Sequence, residues 1–128
     1  MLQIKNGKIQ TEGVVFSLPD GFFIERIDAD ACSFRLGNIF LQMGVEESPA
    51  SVEEILLDGE HEPSEIFNVT HNDLQGKAVF SYASEPTVHG YEERFALKSG
   101  KQLFVLVEAY GENTISNEQM QALVNSVL

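Results

Sequence analysis

Residues 91–110 read YEERFALKSGKQLFVLVEAY, from Tyr91 to Tyr110, and this stretch decides the fold. Two strand-like runs meet at Ser99-Gly100. In the first, Tyr91, Glu93, Phe95 and Leu97 share one face of a period-two pattern, while Glu92, Arg94, Ala96 and Lys98 share the other. In the second, Leu103 to Val107 is apolar at every position, the pattern of a strand covered on both faces. With Ser99 and Gly100 as a two-residue loop, Phe95 falls opposite Phe104 and Glu93 opposite Leu106. An aromatic pair of that kind adds about 0.5–1.5 kcal/mol beyond the area it buries.

Working outward from this hairpin, the preceding chain also reads as strands and turns. Gln3 to Gln10 is nearly palindromic around Asn6-Gly7, a dipeptide suited to a type I′ turn because both positions need positive φ, so a short hairpin is predicted with Ile4 facing Ile9. Val14, Phe16 and Leu18 alternate as a strand, Pro19-Asp20-Gly21 turns the chain, and Phe22 to Ile27 runs extended. Asp28 to Asp30 separates this run from Cys32-Phe34-Leu36. After Gly37-Asn38, Ile39, Leu41, Met43 and Val45 line one face of a further strand, giving a meander up to residue 46. Two more strands are expected over Ile66 to Thr70 and Leu74 to Tyr82, and Ala83 to His89 reads as a loop.

Two helices are predicted. Ser51 and Glu54 have capping-box spacing ahead of Val52, Ile55 and Leu56, and Gly59 stops that helix after about two turns. Ser116 and Gln119 form a second capping box, with Ile115 placed to staple onto Met120. Met120, Leu123, Val124, Val127 and Leu128 then follow the spacing of one helical face. Strands, a short helix, strands and a final helix make an α+β pattern rather than a βαβ one. No internal repeat or linker divides the chain, so residues 1–128 are expected to form a single domain, with 1–11 as an N-terminal hairpin or extension.

The formal net charge of -12, from 20 acidic against 8 basic residues, disfavours partners with phosphate backbones or anionic headgroups, so no nucleic acid is expected. No run reaches the roughly 18 apolar residues of a membrane span, and MLQIKNGKIQ lacks the apolar core of an export signal, so a cytoplasmic location is expected. The single cysteine, Cys32, cannot form an internal disulfide and reads as a small buried hydrophobe.

No motif supplies chemistry. There is no nucleophile elbow, no phosphate-binding glycine loop, and His61, His71 and His89 lack the spacing of a zinc site, so no catalytic, cofactor or metal residues are expected and the histidines read as surface residues. Among the carboxylates, Glu93 is the one to examine, because the alternation sets it on the face of Phe95 and Leu97. The chain carries no Lys or Arg between Arg35 and Lys77, whereas Glu46, Glu47, Glu53, Glu54, Asp58, Glu60, Glu62 and Glu65 fall inside that window. This run is either a solvated face or a docking face for a basic partner segment.

Three motifs resemble the PsbP/Mog superfamily, which includes PsbP-like and bacterial DcrB-type domains. They are Gly13-Val-Val-Phe-Ser-Leu-Pro-Asp-Gly21, the run Leu74-Gln-Gly-Lys-Ala-Val-Phe80, and the closing Leu123-Val-Asn-Ser-Val-Leu128. The resemblance spans about residues 12 to 128 and departs from the family where an aromatic, often Trp, follows the turn; here it is Phe22. It implies a central twisted antiparallel sheet of about six strands with helices on both faces, an α/β/α sandwich, and a binding protein without catalytic residues. The expected function is therefore a non-enzymatic protein-binding domain of adaptor or chaperone type. Its partner would be a protein, basic or offering apolar helices, and a homodimer is compatible with this reading. The alternative is a small-molecule or lipid carrier with an apolar pocket between sheet and helix.

Overall fold

A computed structural model of the chain describes residues 2–57, 66–82, 88–111 and 115–128, the side chains of Ser81, Tyr82 and Val88 excepted. The first three strands, β1 (Gln3–Lys5), β2 (Lys8–Thr11) and β3 (Val14–Ser17), form a small antiparallel sheet of their own. Asn6 and Gly7 take φ of 53° and 72°, and Ile4 pairs with Ile9 as the turn chemistry predicts. A second positive-φ pair, Glu12-Gly13, folds β3 back so that Ile9 meets Phe16, and both are fully buried.

The remaining strands make one antiparallel sheet. They are β4 (Phe23–Ile27), β5 (Ala31–Leu36), β6 (Ile39–Glu46), β7 (Phe67–His71), β8 (Leu74–Tyr82), β9 (Val88–Ala96) and β10 (Gln102–Tyr110). Their spatial order is β4-β5-β6-β10-β9-β8-β7. The β9–β10 hairpin thus lies at the centre, as its apolar second strand implies. Two helices accompany the strands, α1 (Val52–Leu57) and α2 (Asn117–Val127).

This architecture corrects the expected sandwich. The protein is mainly β, 55% strand against 16% helix, in two sheets of three and seven strands. It is not an α/β/α sandwich with helices on both faces, and the α+β, PsbP/Mog-like description of its layers does not hold. The physical reason is area: one helix cannot cover a seven-stranded sheet. Instead α2 packs on β9 and β10 and touches β3, and the small sheet completes the same layer by contributing Ile9 and Phe16. On the other face α1 lies against β8 and β9, and its six residues form no layer. The meander expected up to residue 46 is likewise divided between the two sheets.

The core lies under α2. Cys32 and Phe34, Leu41, Met43 and Val45, Leu103, Val105 and Val107, Tyr91 and Phe95 point there from successive strands and meet Met120, Val124 and Val127. Burial pushes the Cys32 thiol up to about 11, as befits the inert packing residue expected from sequence. Ser116 caps α2 with the reciprocal Gln119 bonds predicted for it. At α1 the Ser51 hydroxyl accepts from the Glu54 backbone N–H as expected, but the Glu54 carboxylate returns to that hydroxyl and not to the backbone. Gly59 lies outside the described residues.

The central hairpin is one residue out of the predicted register. Its loop has three residues, Lys98-Ser99-Gly100, with Gly100 at φ +88°, the left-handed closing position of such loops. Phe95 therefore faces Leu103, Glu93 faces Val105, and Phe104 turns to the opposite face beside Arg94. A one-residue slip exchanges the two faces of the second strand, which is why Leu103, Val105 and Val107 are fully buried while Phe104 and Leu106 are only half-buried.

Candidate functional site

Alternation along β9 creates two different polar arrangements. On the core side Glu93 is 1% exposed. Its Oε2 accepts from the Tyr91 hydroxyl at 2.6 Å, two residues away on the same strand face. Its Oε1 lies 2.6 Å from His71 Nε2 of β7, two strands across the sheet. The intervening strand makes this reach possible, because β8 presents only Gly76 and Ala78 opposite Phe95 and Glu93. Burial, and next the bond to Glu93, push the Tyr91 phenol well above the usual tyrosine range.

The site holds together because each buried polar group has a partner. The His71 and Phe95 rings meet at a steep angle with centroids 5.9 Å apart, and Tyr91 joins an aromatic group with Phe80 and Phe67 at centroid distances of 4.8 and 6.3 Å. Both Glu93 oxygens are engaged, so what this cluster does is tie β7 to β9 across β8.

On the opposite side Arg94 is buried on the sheet surface. It donates through Nε to Glu92 at 2.9 Å and through Nη1 to Gln102 Oε1 at 3.0 Å, and Glu46 completes the pairing. Gln102 in turn donates to the Ala50 carbonyl, which anchors the segment leading into α1. The Arg94 guanidinium lies 5.3 Å above the Phe104 ring, and Arg35 covers Phe40 in the same way at 5.4 Å.

Between α1 and strands β7 to β9 lies a groove of about 860 Å³, lined by Val52, Glu53, Asn68, Lys77, Ala96 and Gln102 among others. Lys77 bridges its wall, bonding to Asn68 at 2.5 Å and pairing with Glu53 at 3.3 Å. On the neighbouring strands the same sheet face carries half-buried Phe104, Leu106 and Phe40.

Of the acidic run read from sequence, Glu46 and Glu53 pair with Arg94 and Lys77, Glu54 caps α1, and Glu47 is exposed beyond the end of β6. Asp58, Glu60, Glu62 and Glu65, and with them His61, lie outside the described residues. His89 belongs to β9 rather than to a loop, and His71 is a half-buried partner of Glu93 rather than a surface residue. The Tyr91–Glu93 half of the cluster was legible in the alternation, whereas His71 joins it only through the strand order. Among the described residues no group of three or more His, Cys, Asp or Glu is placed to hold a metal ion. No described helix is long and apolar enough to cross a membrane. No family model matches the chain, and no curated protein matches it.

Proposed function

We propose that this chain is a non-enzymatic protein-binding domain of adaptor type that takes its partner on the second face of the large sheet. The observation that carries this reading is the groove beside α1 on the same sheet face as the half-buried side chains of Phe104 and Leu106. A sheet face closed by its own helices would offer no such surface. The partner that fits is a protein segment with an apolar ridge, such as a helix, flanked by basic residues that meet Glu46, Glu47 and the other carboxylates of a chain carrying net charge -12.

The carrier reading has less support, because the space between sheet and helix is filled by Leu103, Val105 and Val107 packed against Met120, Val124 and Val127. Glu93 offers little to an enzyme, both its oxygens being committed within the fold.

The test is affinity capture from the native cell with the wild-type chain, with Ala96→Arg and Leu106→Asp on the second face, and with Ala122→Arg on the exposed side of α2. Proteins recovered by wild type and Ala122→Arg but lost from both second-face variants are the expected result. Identical recovery with all four chains would overturn the assignment.

A further inference from the structure

Strand β4 ends the large sheet, and no described strand pairs with its outer side. All five of its residues are exposed, Phe23 at 58%, Ile24 at 47% and Ile27 at 49% among them. The adjoining Leu36 of β5 is exposed as well. Natural sheets guard such an edge with charges, bulges or a covering element, and β4 combines a bulge and the charged Glu25 and Arg26 with three large exposed apolar side chains. The far edge is built differently: β7 shows Asn68 and Thr70 outward and keeps Phe67, Val69 and His71 half-buried.

The residue pattern of β4 is complementary to itself. A one-residue bulge at Glu25 shifts the β4–β5 register between Ile24 and Arg26. Ile24 and Ile27 therefore lie opposite Phe34 and Cys32, on the core side of the sheet. Arg26 lies opposite Ser33 on the second face, and Glu25 reaches Arg35 on that same face. Now let two copies of β4 run antiparallel about a two-fold axis through the Glu25–Arg26 peptide. Glu25 of each copy falls beside Arg26 of the other on the second face, and Ile24 of each beside Ile27 of the other on the core side. The bulge does not spoil this pairing, because the axis passes through it and each distortion meets its own copy. Glu25 and Arg26 keep exposed surface beside their intrachain partners Arg35 and Asp28, so a second ion pair is open to both.

We propose that the chain forms a two-fold dimer through β4, with Glu25–Arg26 and Ile24–Ile27 pairs across the axis, joining two large sheets into one. An isologous contact of this type closes on itself and leaves no further edge of β4 free. The inference stands apart from the binding role given to the second face, which the pairing leaves uncovered.

The experiment is sedimentation of the full chain over a concentration series at about 0.15 M salt, where the Debye length of about 8 Å damps the long-range repulsion of the -12 on each copy and leaves contact ion pairs effective. A monomer–dimer equilibrium is expected. Glu25→Arg alone and Arg26→Glu alone each put like charges across the axis twice and weaken the dimer about tenfold, at cross-strand pair strengths of this order. The double reversal E25R/R26E restores it, and Ile24→Asp abolishes it. A thermal melt of each variant shows whether it still folds; should one not, hydrogen exchange on the wild type answers instead, through β4 amides that gain protection as concentration rises. A chain that stays monomeric up to its solubility limit overturns the proposal. So does a dimer indifferent to the single reversals, or one that the double reversal fails to restore.

Discussion

The two faces of strand β9 hold the same kind of groups under opposite conditions. Glu93 and Glu92 are neighbours in sequence, yet Glu93 is sealed beneath α2 with two short hydrogen bonds, while Glu92 sits half-buried beside Arg94 on the open face. Water can replace a lost partner on the open face and cannot do so in the core, so equal chemistry carries unequal consequences. A group sealed on the core side therefore counts more heavily in stability than its neighbour on the second face.

The largest expected effect comes from stripping the core side of its cover. Met120, Val124 and Val127 of α2 are fully buried, at about 1.5–3 kcal/mol each, against a net domain stability of about 5–15 kcal/mol. Deleting residues 116–128 is expected to give insoluble protein, and a soluble truncation with a cooperative melt would show that the small sheet alone can close the core.

Gly76→Ala comes next. A Cβ there would stand 2.3 Å from the Arg94 carbonyl oxygen and 2.4 Å from the Phe95 ring, and a sheet carbonyl cannot give way as a flexible side chain can. A loss of about 3 kcal/mol is expected in urea unfolding, near the upper end for overpacked cores. A loss below about 1 kcal/mol would mean that β8 and β9 are not pressed together as described.

The direct contrast is Glu93→Gln against Glu92→Gln. Glutamine keeps one acceptor for Tyr91 but turns an N–H toward His71, so the second bond survives only with the other His71 tautomer and without the carboxylate charge, and a cost of about 1–3 kcal/mol is expected at residue 93. At residue 92 the change is expected to stay within about 0.5 kcal/mol. Equal losses at both positions would erase the distinction between the faces.

The smallest effect is a slope. The unfolded chain releases the Tyr91 proton near pH 10, while the folded chain retains it to higher pH because burial and Glu93 oppose the charge. The unfolded state thus binds fewer protons above that point, and the stability Tyr91 contributes is intact below about pH 10 and lost as pH rises further. Tyr91→Phe is expected to flatten the alkaline fall in stability. Part of the fall remains, since burial and Glu108 raise Tyr110 in the same direction. An unchanged alkaline profile would place Tyr91 in contact with solvent.

How far the sequence could be read depended on the range of the interaction involved. Asn6-Gly7 announced its turn because left-handed backbone geometry is a local matter, and Ser116 with Gln119 announced α2 for the same reason. The hairpin loop shows the limit: Gly100 serves a two-residue or a three-residue loop equally well, so the register that sends Phe104 to the open face was beyond local reading. The Glu93 site was half legible. Tyr91 lies two residues away on one strand, but His71 arrives from β7 only because β8 interposes Gly76 and Ala78.

By itself, then, the sequence determined the strands, the capped closing helix, the central place of residues 91–110 and the acidic character of the surface. Each follows from short-range geometry, side-chain period or summed charge. The tertiary structure alone decided that the first three strands leave the main sheet, that they share one face with α2 while α1 alone of the described helices lies on the other, and that no described strand pairs with the outer side of β4. These depend on which distant segments meet, and the area each element can cover is settled only when all of them are packed.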